Sequence, residues 1–454
     1  MSRLSRILIP LAAALPAVAM AWPGLAAEAT QKGTPMSYGE VRAFLAKHTE
    51  LVELTNPEGA RVAVCPAWQG RVMTSTTGGM DGPSFGFVNE EFIRDGRPNP
   101  HFANYGGEER MWLSPEGGQF SLWFKPGVPQ TLADWYTPPA FNEGAWKIVS
   151  GPNEPLAMAA TMKLQNASAT EFHLDVRREV RLLGNSDLVK LLGPQAAAMI
   201  GRKGVRLVAY ETSNRLTNRG GPMTRAGGLV SIWILGMMNC GPQCVVLVPY
   251  RDGDASRLGP PVKSDYFGPV PPERLKVLPS SSPLPLGEAP TTTMLRTVPD
   301  PGVRAGTAVN GVLLFRADGN YRSKIGISQR RARNVLGSID FQLGVLTLVQ
   351  FTMPQDPTRE LYMNNAWGGP HAEPYTGDVV NSYNDGPPEP GKKGLGPFYE
   401  VESLSPAREL ASGESLVHCH RTIHVQADAA TLDQLARQVL GIGLDHVRRE
   451  MLGQ

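Results

Sequence analysis

The sequence predicts an all-β fold built of antiparallel strands, and two observations support this prediction. Glycine and proline are abundant, with 49 and 40 occurrences in 454 residues, and they gather in turn-like clusters. Between these clusters lie runs in which apolar and polar residues alternate, as in strands that bury one face. Because no internal repeat or low-complexity linker interrupts the chain, residues 28–454 are expected to form a single domain.

Residues 1–27 have the form of a secretory signal peptide. Arg3 and Arg6 precede an apolar core from Ile7 to Ala21, and small-residue cleavage sites follow it. The core is short for a membrane span, although an uncleaved N-terminal anchor is the alternative. We therefore expect a periplasmic or secreted protein with no membrane attachment after signal cleavage.

The charge of the mature chain excludes one class of partner. The sequence has 44 Lys and Arg against 42 Asp and Glu, and loss of Arg3 and Arg6 leaves 42 of each. A neutral protein has no electrostatic attraction for polyanions, so we expect no nucleic-acid partner.

Four cysteines fit an oxidising compartment without requiring disulfides. Cys240 and Cys244 flank a turn, where a disulfide is favoured over two free thiols. Cys65 and Cys419 lie in apolar strand patterns that are typical of core positions. A single cysteine pair is too few for the usual spacing of a cysteine metal site, and no cofactor is expected.

A short helix is predicted at each end of the mature chain. Ser37 and Glu40 form a capping box, which opens a helix over residues 37–47. At the C-terminus, the apolar spacing predicts a helix over residues 429–451, and its two internal glycines could bend or split it.

Two strands near the C-terminus carry the most informative residues. In the strand Phe398–Ser403, Glu400 and Glu402 point to one face, because strand side chains alternate. After a proline- and glycine-marked connection, the next strand places His418 and His420 on one face in the same way. Two carboxylates and two imidazoles could thus line one sheet face, which suits proton transfer or a metal.

This region resembles the last strands of the galactose mutarotase-like superfamily, which includes aldose 1-epimerases and uncharacterised bacterial proteins. The matching pattern is carboxylate-x-Glu-x-x-x-Pro, here Glu400, Glu402 and Pro406, followed by a leucine and a Gly-Glu pair. The match is broadest with an uncharacterised exported bacterial family. The resemblance implies a large antiparallel β-supersandwich with short terminal helices. It also makes Glu402 the nearest counterpart of the catalytic glutamate, with Glu400 as the alternative.

The chain departs from the epimerase pattern at one position. Epimerases carry Asn-His-x-x-x-Asn, with the histidine as general acid, and this chain has Asn214, Arg215 and Asn218 there. A guanidinium does not release a proton at neutral pH, so Arg215 cannot replace that acid. The two asparagines could bind sugar hydroxyls or tie off a sheet end. The acid would then come from one of three other histidines: His371, His418 or His420.

Two loops have the composition of a sugar-binding site. Arg110 and Trp112 lie in a glycine-bounded loop, where a charged group could take hydroxyls and a ring could stack on a sugar; a buried ion pair with core aromatics is the alternative. The loop at 362–387 is rich in amides, carboxylates and phenols. Lys324 could contact a substrate carboxylate, although pairing with the acidic C-terminal strand is favoured.

These observations predict an exported protein that acts on a sugar or sugar acid by glutamate-based acid/base chemistry. The alternative is a carbohydrate-binding protein without catalysis, and a weaker one is a metal site at the two strand histidines. The predicted catalytic residues are Glu402, Glu400 and His371. The predicted substrate-binding residues are Arg110, Trp112, Asn214, Asn218, Asp378, Asn381, Tyr383, His418 and His420.

Overall fold

The structure, a computed structural model, describes residues 36–97, 99, 101–142, 144–152, 154–280 and 310–454. Residues 35–454 form one compact unit. The predicted signal peptide, residues 1–27, lies outside the described residues. None of the described helices is long and apolar enough to cross a membrane.

Strands dominate the described residues. In chain order they are β1 (Val52–Thr55), β2 (Arg61–Cys65), β3 (Arg71–Thr76), β4 (Arg110–Ser114), β5 (Lys147–Ile148), β6 (Leu156–Gln165), β7 (Glu171–Leu182), β8 (Arg206–Asn218), β9 (Ser231–Asn239), β10 (Cys244–Arg251), β11 (Leu275–Leu278), β12 (Asn310–Arg316), β13 (Ser323–Ser328), β14 (Val335–Asp340), β15 (Val345–Phe351), β16 (Asp378–Asn384), β17 (Phe398–Leu404) and β18 (Ser415–Gln426). The helices are α1 (Tyr38–Leu45), α2 (Glu90–Asp95), α3 (Pro139–Asn142), α4 (Asn185–Ile200), α5 (Ala255–Leu258), α6 (Ala429–Leu440) and α7 (Leu444–Leu452), with 3-10 turns at Pro66–Trp68, Gly79–Asp81 and Pro357–Arg359.

The strands form three antiparallel sheets. Their orders are β1-β2-β3, then β11-β12-β10-β14-β15-β18-β8-β7-β6-β5, then β13-β16-β17-β9-β4. The ten-stranded and five-stranded sheets pack together through β17, where the Tyr399 hydroxyl lies 2.6 Å from Ser338 Oγ on β14. The predicted large antiparallel β-sandwich is confirmed.

The ten-stranded sheet is buried on both faces. On β10, Val245 and Leu247 pack with residues of α4, α6 and α7, whereas Val246 and Val248 belong to the main core cluster of the sandwich. Because neighbouring side chains of a strand point to opposite faces, both sets are apolar and the strand is almost continuously hydrophobic. The helices therefore form an outer layer on this sheet.

The terminal helices differ from the predicted spans at their ends. Helix α1 covers Tyr38–Leu45, and the capping box between Ser37 and Glu40 is present. The C-terminal segment predicted as one helix over 429–451 is split in two, α6 and α7. Gly441 ends α6 with a left-handed φ of 77°, a conformation that glycine adopts without steric cost.

Helix α4 was not expected from the sequence. Its backbone is interrupted at Gly193, where φ is 82°, and Pro194 follows directly. A glycine-proline pair breaks the helical pattern that a sequence analysis depends on. Burial of Leu188, Leu192 and Ile200 against the ten-stranded sheet stabilises the helix despite this interruption.

Candidate functional site

The outward face of the five-stranded sheet gathers most of the predicted site residues. The strand register places Arg110, Leu235, Glu402, Asn381 and Gly326 opposite one another across all five strands. Opposed residues of antiparallel strands point to the same side, so these side chains share one face. This face, from β13 to β4, is called here the carboxylate face.

A second row of the carboxylate face lies next to the first. It joins Lys324, Tyr383, Glu400 and Met237 through the same strand pairs. The alternation predicted for Glu400 and Glu402 therefore holds, and the two carboxylates occupy neighbouring rows of β17.

Among the described residues, only one carboxylate oxygen of Glu402 is hydrogen-bonded. Its Oε2 accepts hydrogen bonds from Trp233 Nε1 at 2.8 Å and from Lys324 Nζ at 3.3 Å. Its Oε1 is buried and has no partner within the described part of the chain. Burial alone would lower the pKa of Lys324, but Glu402 and the neighbouring carboxylates raise it above its ordinary value, so the ammonium stays charged.

Glu400 forms a buried ion pair with Arg110, whose Nη2 contacts Glu400 Oε1. Burial, together with repulsion from Glu402, raises the pKa of Glu400, whereas Arg110 acts in the opposite direction. The Arg110 guanidinium lies 4.0 Å from the ring centroid of Trp112. Its Nε and Nη1 are buried and make no hydrogen bond to any described residue.

Glu116 approaches the carboxylate face from the loop that follows β4. Trp135 Nε1 donates to its Oε1 at 3.0 Å, and Trp367 also hydrogen-bonds it. Burial raises the pKa of Glu116, opposed by Lys324, and Glu402 raises it further. The side chain is only partly buried. A third carboxylate thus faces the Glu402 and Lys324 pair and remains accessible to solvent.

Four tryptophans surround this charged cluster. Trp123 stacks on Trp135 with ring centroids 5.4 Å apart and an interplanar angle of 11°. Trp112 lies 4.4 Å from Trp123 and 5.8 Å from Trp233. Aromatic walls around charged groups are suited to a ligand with both an apolar face and hydroxyl groups.

Asp378 and Asn381 lie at the β13 side of the face, beside Tyr266. The Tyr266 hydroxyl donates to Asp378 Oδ2, and Asn381 Nδ2 donates to the carbonyl of Ile325 at 3.2 Å. Burial raises the pKa of Asp378, against the hydrogen bond from Tyr266. Tyr383 donates to Asp385 Oδ1 at 2.7 Å. These contacts fix the polar edge of the face.

His418 and His420 do not share a face with Glu400 and Glu402. The hydroxyl of Ser403 lies 2.8 Å from His418 Nε2 and 2.9 Å from His420 Nδ1, in the interior between the two large sheets. The expectation that carboxylates and imidazoles line one face is therefore wrong: β17 and β18 belong to different sheets. Ser403 alternates with the two carboxylates and meets the histidines on the opposite side of β17.

Burial leaves both interior histidines neutral. It lowers the pKa of His418 to about 3, and it lowers the pKa of His420 well below its ordinary value, with His418 and Arg178 adding to the effect. A neutral imidazole held in this way can accept or donate a hydrogen bond, but it does not carry a charge near pH 7.

His371 lies in a loop apart from both glutamates. Its Nε2 is 2.8 Å from the carbonyl of Ala366, and its backbone amide donates to Gln119 Oε1. Within the described ranges it has no hydrogen bond, ion pair or ring contact with Glu400 or Glu402. The structure therefore brings Arg110 to the glutamates but not His371.

Asn214 and Asn218 are tied into the ten-stranded sheet. Asn214 Oδ1 accepts from Arg178 Nη1 at 2.8 Å, and its Nδ2 donates to the carbonyl of His418 at 3.2 Å. Asn218 Nδ2 donates to the carbonyl of Leu410 at 2.9 Å, so it closes the end of its strand. Arg215 is exposed on the opposite side of β8. The contact of Asn218 matches the predicted closing of a sheet end, whereas Asn214 lies within β8 and bonds to the neighbouring strands β7 and β18.

The described residues support neither the predicted disulfide nor a metal site. Cys240 and Cys244 are not joined by a disulfide there. No group of three or more His, Cys, Asp or Glu side chains in that part of the chain could hold a metal ion.

Several residues of the site were not singled out from the sequence. Glu116 lies in the same glycine-bounded segment as Arg110 and Trp112, which was the available signal for it; the structure places Arg110 and Trp112 on strand β4 and Glu116 in the loop after it. Trp233 lies within an apolar strand that reads as plain core. Tyr266 is an isolated aromatic in a loop, and no local pattern relates it to β17, whereas Trp367 belongs to the loop at 362–387 whose composition predicts a binding site.

One family model matches most of the chain. A family model described as a family of unknown function (DUF6786) matches residues 36–281 and 295–451. Among curated proteins, no match is found.

Solved structures with mutarotase titles are similar over most of the chain. A galactose mutarotase-like protein from Lactobacillus casei is 10% identical, covers 83% of this chain and 100% of its own, and superposes with a TM-score of 0.39. A galactose mutarotase related enzyme from Lactobacillus acidophilus is 9% identical, covers 83% and 97%, and has a TM-score of 0.40. The Slr1438 protein from Synechocystis sp. PCC 6803 is 11% identical, covers 84% and 96%, and has a TM-score of 0.43. The family model agrees with the prediction of an uncharacterised family, whereas these structural likenesses, with TM-scores under 0.5, carry no argument about superfamily, substrate or reaction.

Proposed function

The chain belongs to the family of unknown function DUF6786, and from that premise we propose that it binds a sugar or sugar acid on the carboxylate face and interconverts its anomers. We further propose that it acts after export, because residues 1–27 have the form of a signal peptide. The observation that carries the proposed chemistry is the asymmetric hydrogen bonding of Glu402.

Glu402 has the arrangement of a positioned general base. Trp233 and Lys324 hold its Oε2, while Oε1 has no partner in the described part of the chain. A base needs one oxygen free to meet the proton that it takes, and the other fixed so that the carboxylate does not turn away. Lys324 also places a cation beside the carboxylate, 3.3 Å from its Oε2.

Glu116 is suited to be the acid that the epimerase comparison leaves unassigned. Its pKa is raised by burial, so its carboxyl keeps a proton to higher pH than an ordinary glutamate does. It comes from the loop wall of the site, whereas Glu402 comes from the sheet. A ligand between the two walls would have a proton acceptor and a proton donor on different sides.

The proposed reaction needs only these two proton transfers. Glu402 takes the proton of the anomeric hydroxyl, and Glu116 gives a proton to the ring oxygen. The bond between the anomeric carbon and the ring oxygen breaks, and an open-chain aldehyde forms. Rotation and the reverse transfers close the ring as the other anomer, so no redox partner is required.

The surroundings fit a polyhydroxylated ligand. Arg110 Nε and Nη1, and Trp112 Nε1, are buried donors without partners among the described residues. Of the indole rings, those of Trp135 and Trp367 are only partly buried and would offer apolar surface to the carbon-bound faces of a sugar ring. The unsatisfied donors would take hydroxyl or carboxylate oxygens, since buried polar groups are nearly always hydrogen-bonded.

A carbohydrate-binding protein without catalysis is the second candidate function. One observation favours it: Arg215, at the position of the epimerase histidine, is exposed and lies on the ten-stranded sheet. The epimerase acid is therefore not replaced at its own position. In this second candidate function, the carboxylates of Glu116, Glu400 and Glu402 would only form hydrogen bonds with the sugar.

Anomer exchange measured by NMR decides between these two functions. The wild-type protein is expected to accelerate interconversion of at least one aldose or uronic acid above the spontaneous rate. Glu402→Gln should lower that acceleration by about a hundredfold or more while sugar binding persists. Glu409→Gln, which changes an exposed glutamate near Arg225, is the matched control and should behave as wild type. Binding without any acceleration would establish the second candidate instead.

A further inference from the structure

A cavity of about 420 Å³ lies at the β13 edge of the carboxylate face. Its polar lining includes Lys263, Ser264, Ser328, Thr376 and Asp378. Thr376 is exposed, so the cavity is open to solvent. Its volume is in the range of ligand pockets, and its lining offers several hydrogen-bonding groups.

Two lining residues of this cavity, Asp378 and Gly326, lie close to the proposed sugar site. Asp378 lines the cavity, and its Oδ2 accepts from Tyr266 and, at 3.5 Å, from Asn381 Nδ2. Gly326, also in the lining, is opposite Asn381, which in turn is opposite Glu402. The cavity therefore begins two strand spacings, about 10 Å, from the proposed base. That is the reach of two linked sugar rings, not of one.

Tyr266 forms the wall between the cavity and the charged cluster. Lys263 Nζ lies 4.7 Å from the centroid of its ring, and Lys324 Nζ lies 5.8 Å from it. Its hydroxyl is fixed on Asp378. The Tyr266 ring is thus held in place, with Lys263 on the cavity side and Lys324 on the side of the charged cluster.

The cavity has a hydrogen-bond donor and a hydrogen-bond acceptor that are not used in contacts with other described residues. Lys263 Nζ makes no hydrogen bond or ion pair with any residue in the described ranges. Asp378 uses Oδ2 for Tyr266 and Asn381, and its Oδ1 has no hydrogen bond among those residues. An ammonium and a carboxylate oxygen at one pocket suit neighbouring hydroxyls, which accept a hydrogen bond from the ammonium and donate one to the carboxylate.

The backbone of β13 is closely covered at Gly326. A Cβ there would lie 2.4 Å from both Asp378 Oδ2 and the Tyr266 hydroxyl. Any side chain at this position would therefore displace the carboxylate that lines the cavity and the tyrosine beside it.

We propose that this cavity binds a second sugar ring, so that the ligand is a disaccharide or longer oligosaccharide whose reducing end lies at Glu402. This inference rests on the proposed function for the location of the reducing end. Lys263 and Asp378 take hydroxyls of the second ring, and Tyr266 packs between the two rings.

Matched pairs of sugars test the inference. The probes are glucose against maltose and cellobiose, xylose against xylobiose, and mannose against mannobiose. Calorimetric binding constants and NMR anomer exchange are measured for each pair. For at least one pair, the disaccharide is expected to bind about tenfold more tightly, a difference of about 1.4 kcal/mol.

Two variants address the pocket itself. Lys263→Ala removes the ammonium, and Thr376→Trp fills the cavity from an exposed position that the fold tolerates. In both, the ratio of disaccharide to monosaccharide affinity should fall to near one. Lys163→Ala, an exposed lysine on β6, is the control and should keep the wild-type ratio.

The outcomes separate this inference from the proposed activity. Equal affinity for monosaccharide and disaccharide in every pair that binds overturns the second-ring pocket and leaves anomer exchange standing. Tighter disaccharide binding without any anomer exchange supports the pocket and overturns the activity. If no probe binds, both are overturned.

Discussion

Lys324 Nζ lies 3.3 Å from Glu402 Oε2, although 78 positions of the chain separate the two residues. Both are buried, and strand β16 lies between their strands. A buried ion pair of this kind holds its partners mainly because neither can remain charged and buried alone. Its geometry leaves the second oxygen of Glu402 for a ligand.

Removing Lys324 should therefore destabilise the fold. Lys324→Met leaves Glu402 without its cation, and the free energy of unfolding, measured in urea at pH 7, is expected to fall by about 3–5 kcal/mol. The double variant Lys324→Met with Glu402→Gln should recover most of that loss, because the uncompensated charge is gone. Lys163→Met serves as the exposed control, with a change within about 0.5 kcal/mol. A single variant as stable as wild type would contradict the pairing.

The pH dependence of anomer exchange should reveal Glu116 as the acid. Burial raises the pKa of Glu116, so it keeps its proton to higher pH than an ordinary glutamate, and it loses activity as a donor when the pH rises through that pKa. Glu116→Gln should lower the rate by about a hundredfold and abolish the alkaline decline. Glu116→Asp should restore part of the rate together with that decline. An unchanged pH profile in Glu116→Gln would assign the acid elsewhere.

The interior histidines should make the protein sensitive to acid. The unfolded chain binds protons on histidine near pH 6.5, whereas the pKa of His418 in the folded protein is about 3. Between these values the unfolded state binds more protons, so stability falls as the pH falls, by about 1.4 kcal/mol per pH unit for each such histidine. Unfolding measured from pH 7 to pH 4 should show a shallower slope for His418→Gln than for wild type. The exposed His446→Gln should leave the slope as it is in wild type.

Export should remove the N-terminal segment. The basic start, apolar core and small-residue sites predict cleavage within 21–29, in a part of the chain outside the described residues. N-terminal sequencing of protein recovered from the periplasm or medium checks this directly. A cytoplasmic protein that begins at Met1 or Ser2 would show the prediction to be wrong.

Local alternation was enough to predict one half of the site. Period-two spacing placed Glu400 and Glu402 on one face, and the register agrees. Composition assigned Arg110 and Trp112 to a binding loop, but they lie on strand β4, whose register brings them to the same face. The buried ion pair of Arg110 with Glu400 is the alternative that the sequence left open. The favoured pairing of Lys324 with the acidic strand is also present. These inferences depend only on the spacing of residues that are close in sequence, or on the attraction between opposite charges.

The same reasoning failed where sheet membership mattered. A connection rich in proline and glycine predicts a hairpin, but residues 405–414 carry the chain from the five-stranded sheet to the ten-stranded one. Nothing in the local sequence distinguishes these two outcomes, because turn residues serve both. The sequence analysis consequently assigned His418 and His420 to the side of β17 that carries Glu400 and Glu402. In the structure they contact Ser403 on the other side of that strand.

The ion pair between Arg110 and Glu400 joins residues that are 290 positions apart. Contacts of such long sequence separation form late in folding, because the entropy of closing a large loop is lost before the contact is gained. The carboxylate face also contains β17, so it cannot be complete until most of the chain has been synthesised. A nascent chain therefore has no assembled carboxylate face, and we expect the proposed affinity for a sugar to arise only in the final folding step, in the compartment where the whole chain folds.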